Sequence, residues 1–267
     1  MRVDLDDRWV LVSGATGGLG AAFCHRLYYQ ERAKLILTDQ DEEKLLLLKK
    51  ELLSRKDSSE ADIVLIPSDL CNPLDRDDLC AKVSAYPLTG IINNAGLTSY
   101  QGVEPAELSR YQKIIELNFS ALVHLSTYFL PVLARSSNSF LLNVSSLAGY
   151  FPLPYQVVYA ATKAAVSSFT IGLRWEKQYK NILIALLVPG SIRSPMTASS
   201  GLGEKFGHME RMIRSPDTIA GYALKGLKRG KKNLVPFFSE KLAYHLFPRL
   251  SKDFVARRFE PHYRKDV

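Results

Sequence analysis

Short apolar runs recur along the chain, each closed by glycine, proline, asparagine, serine or aspartate, with longer stretches of mixed character between them. Runs of this kind, rich in Val, Ile, Leu and Phe, read as strands. The pattern predicts strands at Trp9–Ser13, Lys34–Thr38, Ile63–Ile66, Gly90–Asn93, Ser139–Val144, Ile182–Val188 and Asn233–Phe237. Ala21–Leu27 reads as a helix and Asp41–Arg55 as an amphipathic one. Glu104–Ala134 reads as a long or kinked helix, and Pro154–Tyr179 as a further one. Strands alternating with helices argue for an α/β fold, a parallel sheet with helices on both faces. Residues 1–238 are expected to form the sheet-bearing unit, and residues 239–267 a basic amphipathic extension packed on it.

The first strand breaks into Gly14-Ala15-Thr16-Gly17-Gly18-Leu19-Gly20 before the first helix. Strand, glycine-rich turn and helix make a phosphate cradle. Glycines allow a tight turn and close backbone approach, and the helix N-terminus favours an anion. The second strand ends in Asp39, nineteen residues after Gly20. A carboxylate there hydrogen-bonds an adenosine ribose hydroxyl and repels a 2′-phosphate. Gly17 and Gln40, where a cation would help NADP(H), are neutral, so NAD(H) is favoured over NADP(H). Asp39 is also a candidate cap for the helix that follows.

Tyr159 and Lys163 stand four residues apart, and Ser146 lies thirteen residues before the tyrosine. On a helix, positions i and i+4 share a face. A free tyrosine titrates near 10, and a neighbouring cation favours its phenolate. Ser146 can hydrogen-bond a carbonyl or alcohol oxygen while Tyr159 gives or takes its proton.

Taken in order, these motifs resemble the classical short-chain dehydrogenase/reductase family. Ser13-Gly14-Ala15-Thr16-Gly17-Gly18-Leu19-Gly20 is similar to the family's T-G-x-x-x-G-x-G loop, with Ser for Thr. Asp69-Leu70 resembles its adenine-contacting aspartate, and Asn93-Asn94-Ala95-Gly96 its N-N-A-G motif. Asn118 matches the asparagine that kinks a central helix and holds a water in a proton relay; Ser146, Tyr159 and Lys163 match the catalytic residues. Pro189-Gly190-Ser191-Ile192-Arg193-Ser194 resembles the P-G-x-[IV]-x-T segment over the nicotinamide, again with Ser for Thr. The resemblance implies a Rossmann-like doubly wound sheet of about seven strands and an oxidoreductase acting on CH–OH donors. It implies dinucleotide contacts at Ser13, Gly14, Gly18, Leu19, Gly20, Asp39, Asp69, Leu70, Asn94, Ala95, Gly96, Tyr159, Lys163, Pro189, Gly190, Ile192 and Ser194. A homodimer or homotetramer is implied as well. The expected substrate pocket is Leu147, Tyr150, Phe151, Pro152, Gln156 and Met196, mostly apolar or aromatic, with Arg193 as its one candidate cation. That lining favours a hydrophobic alcohol or ketone, steroid-like, acyl or lipid-derived. Thr197–Met212 falls where the family has a substrate lid; an ordinary surface loop is the alternative.

Composition adds limits. At 267 residues and 46% hydrophobic, the chain suffices for one sizeable domain. Asp4, Asp6 and Asp7 argue against an apolar leader. Leu117–Ala134 approaches membrane-spanning length but holds Asn118, His124 and Pro131, and reads as buried. Three cysteines, odd in number, suggest reduced thiols and a cytoplasmic setting. The five histidines do not cluster, and no metal site is expected.

Charge is uneven. Residues 201–267 carry 15 Lys/Arg against 7 Asp/Glu, the whole of the +8 net charge. Such an excess suggests an anionic partner. No nucleic-acid reading motif accompanies it. Leu242, His245, Leu246 and Leu250 share a helical face, with Arg249, Lys252, Arg257 and Arg258 nearby and Pro248 interrupting. The stretch could lie on an anionic membrane or pack on the domain. A dinucleotide-binding interaction or regulatory protein that works through this tail is the alternative to an enzyme.

Overall fold

The computed structural model describes residues 2–54, 59–100, 102–193 and 213–263. Seven parallel strands form one sheet in the order β3-β2-β1-β4-β5-β6-β7. They are β1 Trp9–Ser13, β2 Lys34–Thr38, β3 Ile63–Leu65, β4 Leu88–Asn93, β5 Phe140–Val144, β6 Leu183–Leu187 and β7 Asn233–Leu234. The helices are α1 Gly18–Tyr29, α2 Glu42–Leu52, α3 Pro73–Val83, α4 Leu108–Ile115, α5 Ala121–Arg135, α6 Val157–Leu173, α7 Pro216–Lys228, α8 Phe238–Leu246 and α9 Lys252–Tyr263.

The strands read as near-continuous apolar runs because both faces are covered. Val10 and Val12 join Leu35, Leu37, Phe140 and Leu142 in a core under α1, α2 and α7. Leu11, Ile36, Ile91, Leu141 and Ile184 turn the other way and meet Leu125, Phe129 and Leu133 of α5. This is the alternation of successive side chains across a sheet. Gly90 sits in β4 because a β-carbon there would enter the Phe140 ring on β5.

Some predicted bounds move for local reasons. The helix expected to be long or kinked is kinked: α4 and α5 are joined by a π-helical turn, Glu116–Ser120. Asn118 lies at its centre, fully buried. The run Leu108–Arg135 is long and apolar enough to cross a membrane by length alone. Its α5 face is instead buried against the sheet, as in a core helix. The helix expected from Pro154 begins at Val157, because Tyr155 takes a left-handed φ of 63°. That conformation is costly for an aromatic side chain. Pro248 falls in a 3-10 turn, Phe247–Arg249, which separates α8 from α9.

The strand order reverses direction beside β1. β2 and β3 lie on one side of β1, and β4 to β7 on the other. Such a switch point leaves a crevice at the carboxyl ends of the strands. A buried polar chain fixes the pairing next to it. Asn93 Nδ2 donates to Asn143 Oδ1 at 2.9 Å and to Ser126 Oγ at 3.0 Å. Asn143 Nδ2 then donates to Thr170 Oγ1 at 2.9 Å. Asn93 and Asn143 are register partners on β4 and β5.

Candidate active site

The glycine loop turns at the switch point. Gly14 has φ of 62°, and a β-carbon there would sit 2.7 Å from Ala95 Cα. At Gly20 a β-carbon would run into the Gly14 carbonyl. The loop is braced from β4: Asn94 Nδ2 donates to the carbonyls of Gly14 and Ser13 at 3.0 and 3.2 Å. Ser13 Oγ accepts from the amides of Asn94 and Ala95 at 3.1 and 3.2 Å. The Ser that replaces the usual Thr therefore spends its hydroxyl on holding two loops together. Helix α1 opens at Gly17 without a side-chain cap and without an acid in its first turn. The first-turn amides, Gly18 and Leu19 among them, lack intrahelical acceptors, and the helix dipole adds positive potential. A pyrophosphate fits this cradle.

At the end of β2, Asp39 Oδ2 accepts from Thr16 Oγ1 at 2.7 Å and from the Thr16 amide at 3.2 Å. Asp39 does not cap α2. That role falls to Asp41, which accepts from the Lys44 amide. Lys44, beyond the positions weighed from sequence, follows Asp39 by five residues. Its ammonium lies 2.6 Å from Asp41, which raises its pKa more than Asp39 does. Asp69 accepts from the Cys71 amide at 2.9 Å, and Leu70 is buried.

Near the ends of β4 and β5, Lys163 meets Tyr159 and the Gly96 backbone beside Asn118. Lys163 Nζ donates to the Val144 carbonyl at 2.9 Å and lies 5.8 Å from the centre of the Tyr159 ring. Burial pulls its ammonium from 10.5 down to about 8. A β-carbon on Gly96 would lie 3.5 Å from that Nζ and 3.2 Å from Asn118 Oδ1. Asn118 spans three elements. Its Oδ1 accepts from the Leu97 amide at 2.7 Å, and its Nδ2 donates to the Leu97 carbonyl and to Thr162 Oγ1 at 2.9 and 3.1 Å.

Ser146 and Ser145 diverge in use. Ser146 Oγ accepts from the Ala148 amide at 3.2 Å. Ser145 Oγ bonds the Lys163 carbonyl and Ser167 Oγ, each at 2.8 Å, tying β5 to α6. Gly149 permits the 147–150 turn to lie on α6, since a β-carbon would come within 2.6 Å of the Lys163 carbonyl carbon. The Leu147 amide donates to the Pro189 carbonyl at 2.9 Å, joining this turn to the end of β6.

The expected pocket residues meet the C-terminal segment. The Tyr150 ring lies 4.5 Å from that of Tyr244, and burial pushes its phenol up. Phe151 stacks on Phe259 of α9 at 5.2 Å and meets Phe247 edge-on at 4.9 Å. Tyr155 donates to Glu260 Oε1 at 3.1 Å. Leu147 packs with Val166 and Val188, Pro152 is half-buried, and Gln156 is buried with Nε2 3.3 Å from Thr98 Oγ1. Ile192 pairs with Arg214 in a β-bridge, and Arg193 is exposed. Ser194, Met196 and Thr197–Met212 lie outside the described residues. Sequence reasoning missed Thr16, Thr162, Tyr244, Phe247 and Phe259. Of these, only Thr162, beside Lys163 on the same helix, carried a local signal.

The sequence model of the short chain dehydrogenase family matches residues 8–205. The chain belongs to that family. Among relatives of this short chain dehydrogenase is a Drosophila melanogaster protein named dehydrogenase/reductase SDR family protein 7-like. It is 28% identical over 268 residues, covering 96% of this chain and 82% of that one. A short-chain dehydrogenase from Sphingobium yanoikuyae in complex with NADPH superposes with a TM-score of 0.77 at 23% identity, over 97% of both chains. A Burkholderia phymatum relative in complex with NAD gives 0.77 at 18% identity, over 99% of both. At these identities the two structures show the shared fold. The family membership makes this an oxidoreductase fold of the NAD(P) type.

Proposed function

We propose that this protein interconverts a hydrophobic secondary alcohol and its ketone with NAD(H), using Tyr159 as proton donor and acceptor. The observation that carries the reading is the buried Lys163 ammonium beside Tyr159, at the carboxyl end of β5, with the Gly96 backbone close by. The dinucleotide, when bound, supplies or takes the hydride. Gly14, Gly18, Leu19 and Gly20 would hold its pyrophosphate, and Asp69, Leu70, Asn94, Ala95 and Gly96 would border the adenosine side. Pro189, Gly190, Ile192 and Ser194 would meet the nicotinamide. Lys163 has donors to spare beyond Val144, enough for ribose hydroxyls, and its charge favours the Tyr159 phenolate. Ser146 would bond the reacting oxygen, and Asn118 would support the water that resupplies the proton.

Asp39 supports NAD(H) over NADP(H), because its carboxylate stands at the ribose end while Lys44 is paired with Asp41. Leu147, Tyr150, Phe151 and Gln156, with Phe247 and Phe259 behind them, support an apolar substrate. Consumption of NADH and of NADPH against a panel of hydrophobic ketones, with Tyr159→Phe alongside, tests the reading. Wild-type turnover undiminished in the variant would overturn it.

A second copy of the chain and a lipid surface are further partners supported by exposed apolar side chains. Leu108, Ile115 and Tyr128 stand exposed along α4 and α5, which supports a homodimer or homotetramer, readable by light scattering. Phe238, Leu242 and Leu246 stand exposed along α8, with Lys241 and His245 between them. That row supports peripheral contact with an anionic membrane. Co-sedimentation with phosphatidylserine vesicles, lost in Phe238→Glu, is the expected result; equal recovery with neutral vesicles would overturn it.

A further inference from the structure

Glu240 is an acid where the fold has little reason to keep one. It is 5% exposed, in the first turn of α8, although acids are almost never fully buried without partners. A β-carbon on Gly190 would lie 2.7 Å from Glu240 Oε1 and 3.1 Å from its Cδ, so the carboxyl rests directly on the Gly190 backbone. Burial pushes the acid above its usual range, and the backbone amides of Gly190 and Phe237, with the charge of Arg214, pull it back. The Phe237 contact is half of a capping box, in which a glutamate at the third helical position serves the N-cap amide. Phe237 has no side-chain oxygen to return the favour, so no sequence signature marks it.

The surroundings form a connected set. The Arg214 guanidinium lies 4.2 Å over the Phe237 ring. The Arg214 backbone accepts from the Arg193 amide at 2.8 Å and donates to the Ser191 carbonyl at 3.0 Å. Pro189 is held from the other side by the Leu147 amide. Glu240 thus reaches from the C-terminal segment to the turn that follows β6, whose next residues are pinned by Arg214. Two buried polar atoms here, Glu240 Oε2 and Arg214 Nε, lack a hydrogen-bond partner among the described residues. Keeping a buried acid beside Arg214 at that cost points to a role other than stability.

We propose that Glu240 is a positioning residue for the nicotinamide end of the dinucleotide, setting the Pro189–Ile192 turn from outside the sheet. The inference rests on the functional reading above, in which that turn meets the nicotinamide. Glu240 touches the turn and not the reacting atoms, so it orients and does not react.

The test is binding in the absence of substrate. NADH or NADPH, whichever the wild type binds, is titrated by fluorescence against wild type and Glu240→Gln. ADP-ribose, which lacks the nicotinamide, is titrated by calorimetry against both. Glu240→Gln keeps the shape of the side chain while replacing one acceptor oxygen by a donor. The expected result is a loss of about tenfold in dinucleotide affinity, equivalent to about 1.4 kcal/mol, with ADP-ribose binding unchanged. Equal weakening of both ligands would mean that Glu240 only holds the fold, and unchanged affinity for both would mean that the turn does not need it; either overturns the proposal while leaving the functional reading intact. Should Glu240→Gln fold poorly, Glu240→Asp, which keeps the acid but withdraws it from Gly190, is expected to weaken the dinucleotide alone; equal weakening of ADP-ribose, or no change in either, would overturn the proposal. A wild type that binds neither dinucleotide would overturn both.

Discussion

Lys163 donates to the Val144 carbonyl at 2.9 Å, and burial depresses its ammonium, with no carboxylate among the described residues opposing. The unfolded chain holds this proton up to 10.5, whereas the folded chain releases it at about 8. Between those values the unfolded state binds more protons, so stability of the ligand-free protein rises with pH across the window. The gain is at most about 3 kcal/mol at 1.36 kcal/mol per unit. Urea melts on either side of the window should show this rise in the wild type and its absence in Lys163→Met. Parallel profiles for the two proteins would contradict the burial of a charged lysine.

Removing the Tyr159 hydroxyl tests the proton path. Tyr159→Phe is expected to lower turnover by about 10²–10⁴-fold, the usual worth of positioned acid-base catalysis. Its dinucleotide affinity should stay near that of the wild type, because Lys163 and the glycine loop are untouched. Fluorescence titration beside steady-state rates separates the two effects.

Cofactor choice turns on the corner where Thr16 meets Asp39. Asp39→Ser deletes a charged acceptor, and bonds to charged groups are worth about 1.5–3 kcal/mol. NADH affinity should fall by about tenfold or more, while NADPH, freed from repulsion, should bind more tightly. An unchanged ratio between the two would place discrimination elsewhere.

The aromatic contact between Phe151 and Phe259 carries a prediction for the C-terminal segment. Phe259→Ala removes a stacked ring from a half-buried cluster, at a cost of about 0.5–1.5 kcal/mol for the pair beyond lost area. A lower midpoint in thermal denaturation and an altered KM for the preferred ketone are expected together. A shift in stability with an unaltered KM would confine Phe259 to packing.

The sequence made the sheet legible because each strand is a local signal, an apolar run stopped by a turn residue, as at Val12-Ser13-Gly14. Glycines at 14 and 20 were legible for the same reason. Contacts between distant positions were not. Asp39 meets Thr16 across 23 residues, and Tyr155 meets Glu260 across 105, and nothing in either neighbourhood names the other. The kink at Asn118 follows from the resemblance alone, since a π turn has no compositional mark comparable to proline. The tail read as a basic amphipathic stretch. Its inward acid, Glu240, was invisible because its partners are backbone amides, which every sequence contains.

The amide pair Asn93–Asn143 has a consequence for how the crevice is assembled. Slipping β4 past β5 by one residue would turn Asn93 to the opposite face and strand two amides in an apolar interior, where an unpaired group costs about 1–3 kcal/mol. Neighbouring strands of leucine, isoleucine and valine have no comparable way to tell one alignment from the next. The pair therefore works as a vernier. It penalises every misaligned sheet, and in the one alignment that survives, the Asn94–Gly96 turn and the Ser145–Ser146 pair leave the sheet at matching heights.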